Sequence, residues 1–413
     1  MNTSTIVIIG GGQAGYQVAA SLRQEGHTGS ITIVGDEPGV PYQRPPLSKA
    51  YLLGKVTAAA LRLRPPEWFE TQQITRVQDE VRNIDREGRS VLLASGAQLP
   101  YDHLVLATGA RNRVPNVPGV ELDGVLGIRT LADADALSPR LADVRHAVVI
   151  GAGFIGLEFA AVAAARGIAV HVLELADRPM ARALSQPMSE LFTQAHAGWG
   201  VTLDFKNGLK RIVGDNGRVT GVETEDGRLL PADLVIYGIG VIANSELAAQ
   251  AGLNVANGIV VDEQLLTNDP SISAIGDVAN FPSPHLGTMI RLESVQNAVD
   301  QARTVAARLT GKPARYAALP WFWTDQGDLK LQIVGLSERH DHTVLLGDPA
   351  ARQLSVLCFR HGQLVAVESA NRPADHMAAR KILARPAALT AAQASEPGFD
   401  LKAWELSSRP AAA

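Results

Sequence analysis

One pattern occurs twice in this 413-residue chain, and it restricts the fold more than any other feature. The first copy is TIVIIGGGQAGYQ from Thr5, ITIVGDE from Ile31 and YDHLVLATGA ending at Ala110. The second is HAVVIGAGFIGLE from His146, VHVLEL from Val170 and ADLVIYGIG ending at Gly240. Each copy reads as an apolar strand, a glycine turn, an apolar helix, a second strand closed by an acid, and a later strand ending in glycine. Short β-branched runs alternating with helical periodicity imply βαβ units and a parallel sheet buried on both faces. The expected class is therefore α/β, with two Rossmann-like dinucleotide-binding domains. At roughly 150 residues per domain, the length leaves room for a third.

Gly10, Gly12 and Gly15 form G-x-G-x-x-G between the first strand and its helix. The first glycine allows the tight turn, the second lets backbone approach a pyrophosphate, and the third lets helix pack on strand. The helix start then offers unpaired N–H groups and a positive dipole end to the phosphates. Asp36 closes the next strand, placed for a ribose hydroxyl. Gly151, Gly153 and Gly156 repeat the turn, with Glu174 as the acid. A lone G-x-G-x-x-G is a weak sign, but two complete fingerprints are hard to explain as packing turns. A carboxylate at Glu174 accepts from a ribose 2′-OH and repels a 2′-phosphate, which favours NADH over NADPH. Arg178 and Arg182 are two cations able to reach a phosphate, although surface charges at a loop start are the plainer reading. Two dinucleotides on one chain imply electron transfer between them. The glycines alone do not say which turn holds a flavin.

Charged residues make up 19% of the chain, with 38 glycines, a balance unlike that of a disordered chain. The net charge of −4 points to neither nucleic acid nor anionic membrane. Met1 to Leu22 carries no charged side chain, yet it lacks a basic n-region and Gly10 to Gln13 interrupt its apolar run, so no targeting segment is expected. Ala147 to Leu157, the next apolar stretch, stops far short of the ~20 residues a bilayer requires. The lone Cys358 excludes an internal disulfide, a CxxC pair and a thiolate metal site. The expectation is a soluble, cytoplasmic protein with no metal. Arg113 to Gly119 and Gly311 to Pro320 read as boundaries, and Val241 to Ser245 as the return to the first domain. Leu331 to Val334 and Leu354 to Phe359 look like strands, and the Ala- and Pro-rich tail from Met377 carries no functional sign.

Taken together, GGGQAG, PYQRPPLSKAYL, LVLATGA, GAGFIGLE, AIGDVA, ESVQNA and PWFWTDQ closely resemble the NADH-dependent ferredoxin reductases of bacterial oxygenase systems, the putidaredoxin reductase type. These are pyridine nucleotide-disulfide oxidoreductases without the redox-active cysteines. LATGA and AIGD are shared widely among flavin reductases, whereas RPPLSK and PWFWTDQ are narrower. The resemblance implies an FAD-binding domain at 1–114 and 242–315, an inserted NAD-binding domain at 115–241, and a C-terminal α/β interface domain at 316–413. It assigns FAD to the first turn, with Gly10, Gly12, Ala14, Gly15 and Asp36 on the ADP half. It also implies FAD contacts from Lys49, Val81, Arg129, Asp277 and Val295. Bland readings compete: Lys49 as a solvated lysine, Arg129 as a boundary ion pair, Val81 as plain core.

On the second turn, Gly151, Gly153, Phe154, Ile155, Gly156 and Glu174 are implied to hold NAD. In related reductases an aromatic at the position of Phe154 covers the flavin until nicotinamide displaces it. Glu158 lies in an apolar helix start, where an ionised carboxylate needs a partner, and Lys49 is the expected one. Stabilisation of the helix's first turn by an acid is the simpler role for Glu158. Alternation puts Trp321 and Trp323 on one face of an extended segment, which the resemblance places near the flavin. Lys49, Glu158 and Trp323 form the implied catalytic set.

The fold alone does not choose the activity. Thiol-based branches are excluded by the absence of cysteine from residues 40–50 and by the strand position of Cys358. The resemblance then implies hydride transfer from NADH to FAD and single electrons to a [2Fe-2S] ferredoxin serving a haem monooxygenase or dioxygenase. A rubredoxin reductase, or a flavin-binding NADH redox sensor or scaffold, is the alternative. Arg64, Arg303 and Lys330 are the expected ferredoxin-docking cations.

Overall fold

The computed structural model describes residues 3–385 and 389–409. The chain divides into two compact units, the first comprising Met1–Gln43, Ala58–Arg111 and Val241–Pro320, the second Arg44–Thr57, Asn112–Gly240 and Trp321–Ala413.

In the first unit, five parallel strands lie in the order Ile272–Ala274, His103–Leu106, Ile6–Ile9, Ile31–Gly35 and Ile74–Gln78. Ile6 lies beside Ile31 on one side and His103 on the other. Ile6, Val7 and Ile8 are all buried, as a strand covered on both faces requires. The turn helix Gln13–Gln24 and the helix Val295–Leu309 pack together. The strand Ile272–Ala274 completes this sheet only after the chain has returned at Val241, which is why the unit is discontinuous in sequence. An antiparallel ribbon, Val81–Asp85, Ser90–Leu93 and Gln98–Pro100, belongs to the same unit.

The second unit repeats the parallel arrangement. Its order is Val201–Phe205, Ala169–Glu174, His146–Ile150, Leu234–Tyr237 and Val125–Gly127. In both sheets the strand entering the glycine turn is central, flanked by the acid-ending strand and the later glycine-ending strand. The sequence repeat is thus a repeat of topology. The unit also holds a five-stranded antiparallel sheet running Trp321–Gln326, Leu329–Gly335, Gln363–Ala370, Gln353–Arg360 and His342–Asp348. The turn helix Phe154–Ala165 packs on its Trp321–Gln326 edge strand.

The breaks between these units fall at 43/44, 57/58, 111/112, 240/241 and 320/321. The sequence expectation puts residues 44–57 with the first domain. They cluster with the second unit because Arg44 donates to the Arg129 carbonyl at 2.9 Å, Tyr51 donates to Asp135 at 2.5 Å, and Arg166 donates to the Leu52 carbonyl. Residues 112–240 and 321–413 fall within the same compact unit.

Candidate functional site: two glycine turns and a buried carboxylate

The glycine turns are dictated by close backbone approach. Gly10 has φ +118°, and a Cβ there would meet the Ala107 carbonyl oxygen at 2.1 Å; one on Gly15 would meet the Gly10 carbonyl oxygen at 1.9 Å. A Cβ on Gly12 would meet nothing within 4 Å, so the middle of the turn presents bare backbone to open space. Gly151 and Gly156 are constrained in the same way at φ +98° and by the Gly151 carbonyl. Gly12 and Gly153 are the N-caps of their helices, and neither helix receives a side-chain cap. By contrast, Thr130 and Ser294 cap their own helices. Uncapped N–H groups above a cradle without side chains fit a dinucleotide pyrophosphate at both turns.

Around the first turn, Gly276 of AIGD brings its backbone against Ala14, whose Cβ would lie 3.0 Å from a Cβ on Gly276. Asp277 follows immediately. Asp36 sits exposed just beyond its strand, while the neighbouring Glu37 is partly buried and accepts from Tyr42. Val295 is the first residue of its helix, and Val81 starts the antiparallel ribbon, packed against the unit's core. Lys49 and Arg129 lie in the second unit, where Asp133 accepts from the Arg129 N–H at 2.9 Å.

Around the second turn, each carboxylate oxygen of Glu174 takes one backbone donor, Ala152 at 2.7 Å and Ala176 at 2.8 Å. An ionised carboxylate retains further lone-pair sites for a ribose. Arg178 is a tie within its own loop rather than a free surface charge, donating to the Leu184 and Ala181 carbonyls and to Ser189. Arg182 is exposed. Ile155 is 41% exposed beside the turn. The ring of Phe154 packs on Phe322, with centroids 4.6 Å apart.

The pair expected of Lys49 and Glu158 is present, with Nζ 2.7 Å from Oε1. Glu158 is 2% exposed and accepts two further bonds, from Thr324 at 2.6 Å and from Ser48. Lys49 also donates to the Pro45 carbonyl at 3.2 Å. A buried carboxylate with three donors, one of them an ammonium, has its charge and direction fixed. Sequence reasoning missed Ser48, Phe322 and Thr324. For Phe322 and Thr324 alternation was the available signal, since placing Trp321 and Trp323 on one face places Phe322, Thr324 and Gln326 on the other.

Trp321 and Trp323 do share a face, with ring centroids 5.5 Å apart and the Arg380 guanidinium 4.9 Å from the Trp321 ring. Arg64, Arg303 and Lys330 are all exposed; Arg64 lies 5.8 Å from the Trp68 ring and Arg303 pairs with Asp300 at 3.4 Å. Cys358 is fully buried in its strand, and burial together with the nearby Glu368 carboxylate pushes its thiol pKa up. Glu368 is itself buried and accepts from the Ser185 N–H and hydroxyl, at 2.9 and 2.6 Å, a link sequence reasoning also missed. Among the described residues, no helix is long and apolar enough to cross a membrane.

Residues 4–302 match the family model of pyridine nucleotide-disulphide oxidoreductases, and residues 321–404 match the reductase C-terminal model. The chain is 52% identical to rhodocoxin reductase of Rhodococcus erythropolis over 399 residues, covering 96% of this chain and 93% of that protein. The crystal structure of the ferredoxin reductase for the CYP199A2 system of Rhodopseudomonas palustris superposes with a TM-score of 0.95 at 52% identity, covering 97% of this chain and 99% of that one. The covalent putidaredoxin reductase–putidaredoxin complex matches with a TM-score of 0.95 at 39% identity, covering 99% of both chains.

Proposed function

Because the chain belongs to the pyridine nucleotide-disulphide oxidoreductase family, we propose that it is an FAD-containing NADH:ferredoxin oxidoreductase. One observation carries this reading: a single chain forms two bare, uncapped glycine turns while its lone thiol is sealed in a strand. When bound, FAD accepts a hydride from NADH and passes electrons onward singly, and the protein supplies binding, orientation and charge.

The first turn, with Gly10, Gly12, Ala14, Gly15 and Asp36, is read as the FAD site, joined by Val81, Arg129, Asp277 and Val295. The second, with Gly151, Gly153, Phe154, Ile155, Gly156 and Glu174, is read as the NADH site. Its bare cradle supports the pyrophosphate assignment, and the carboxylate of Glu174 supports NADH over NADPH. Lys49 is the cation that answers negative charge gained on flavin reduction, and Glu158 aims it. Trp323 is read as a flavin-site aromatic. The electron acceptor is a [2Fe-2S] ferredoxin serving a haem monooxygenase or dioxygenase, docking through Arg64, Arg303 and Lys330.

Flavin analysis and anaerobic titration test the reading. The purified protein should hold one FAD per chain, bleach with NADH and reduce ferricyanide over many turnovers. An apoprotein that binds no added FAD would overturn it.

A further inference from the structure

The carboxylate of Glu158 is one end of a buried line of hydrogen bonds that continues well past the Lys49–Glu158 pair. Thr324 donates its hydroxyl proton to Glu158 at 2.6 Å. Gln326 donates from Nε2 to the Thr324 oxygen at 3.4 Å, and the same amide nitrogen lies 3.8 Å from the Met180 sulfur. The Gln326 carbonyl oxygen then meets Nε2 of His196 at 2.8 Å. Thr324 and His196 are fully buried and Gln326 is 1% exposed, so water does not compete along the line. The far nitrogen of His196, Nδ1, is buried without a partner, and the Trp199 ring packs edge-on at 4.8 Å.

One charge sets the direction of every bond in this line. An ionised carboxylate only accepts, so Thr324 must donate to it. The Thr324 oxygen is then left as an acceptor, which turns the amide NH2 of Gln326 toward it. That in turn points the Gln326 carbonyl at His196, whose Nε2 must carry the proton. Nδ1 is left bare, which suits an imidazole that burial holds neutral by lowering its pKa to about 4.

We propose that Thr324, Gln326 and His196 are positioning residues for the Lys49–Glu158 pair, a line whose polarity is imposed by the Glu158 carboxylate and which holds that carboxylate, and through it the Lys49 ammonium, in one orientation. The proposal rests on the reading of Lys49 as the cation beside the reduced flavin. Ser48 bonds the second carboxylate oxygen directly, so the line through Thr324 steadies the oxygen that Lys49 uses. Removing it frees the carboxylate to rotate without removing either charge.

The test compares wild type with Thr324→Val, Gln326→Leu and Thr324→Ser as holoproteins, in NADH–ferricyanide turnover and in nitrogen-detected NMR of labelled histidine. The His196 signal is assigned by its loss in His196→Gln. Wild-type His196 should be the Nε2–H tautomer. Thr324→Val, nearly isosteric, should mix the tautomers and lower kcat about tenfold, the scale of one charge-assisted hydrogen bond, with KM for NADH little changed. Gln326→Leu should act in the same direction, and Thr324→Ser should restore both readouts. A wild-type Nδ1–H tautomer overturns the proposal, as does Thr324→Val with unaltered tautomer and kcat. If wild type instead fails to turn over, the functional reading fails, while the tautomer still decides whether the line runs from Glu158 to His196 with this polarity.

Discussion

Glu174 is tied to the glycine turn it serves, because its Oε2 accepts the N–H of Ala152, the residue between Gly151 and Gly153, at 2.7 Å. The acid therefore does two things at once. It presents negative charge where a cofactor ribose is expected, and it holds the turn that would carry the pyrophosphate. Glu174→Gln should raise NADPH use and narrow the NADH preference by about tenfold or more in kcat/KM, as expected when a charged hydrogen-bonding group is neutralised. Equal use of both cofactors by wild type would place the acid elsewhere.

Lys49 and Glu158 should be strongly non-additive. Lys49→Met leaves a buried carboxylate with only Ser48 and Thr324, and breaking such a pair from one side costs about 3 kcal/mol. Lys49→Met with Glu158→Leu removes the stranded charge and should recover much of that loss. Urea unfolding of wild type, Lys49→Met, Glu158→Leu and the double variant checks this. A double variant as destabilised as the sum of the singles would mean that the two charges are independent.

Acid should destabilise the protein through its buried histidines. Burial pushes His103 down to about 3 and His196 and His376 down to about 4, with the Arg308 guanidinium adding to the shift at His103. All three stay neutral in the folded chain below the ordinary histidine value near 6.5, where the unfolded chain takes up protons. Their contribution is complete above pH ~6.5 and is lost as pH falls toward about 4 for His196 and His376 and about 3 for His103, at roughly 2 kcal/mol per histidine by pH 5. Unfolding curves at pH 7 and pH 5 should show a marked fall, and a flat profile would contradict these shifts.

How far the sequence could be read depended on whether a signal was local. The glycine turns were legible because backbone approach at Gly10 and Gly15 dictates the residue type within six positions of chain. The Lys49–Glu158 pair could be anticipated, since an acid in an apolar helix start wants a partner and the resemblance carried by RPPLSK singled out Lys49. Alternation gave the face of Thr324 but not its partner 166 residues away, and Ser48 was not visible at all, because it reaches Glu158 from 110 residues away and its hydroxyl carries no charge that demands a partner. Residues 44–57 show the same limit: their sequence neighbours lie in the first unit, but their hydrogen bonds run into the second.

Ferredoxin docking should depend on local positive charge, because the whole chain is at −4. Reversing Arg64 and Arg303 to Glu should slow ferredoxin reduction steeply at low salt, with the difference fading as the Debye length shrinks to ~8 Å at physiological ionic strength. NADH–ferricyanide turnover should stay nearly unchanged. Equal loss of both activities would indicate a folding or flavin defect, and no loss of either would move the docking surface elsewhere.

Anaerobic stopped-flow mixing of the NADH-reduced protein with an oxidised [2Fe-2S] ferredoxin, under excess NADH, tests the oxidoreductase assignment most directly. The account predicts repeated turnover, with ferredoxin reduced far beyond the amount of protein present and two ferredoxins reduced per NADH consumed. A single stoichiometric bleaching of the flavin that then persists, with the ferredoxin left oxidised, would contradict it and identify a redox sensor instead.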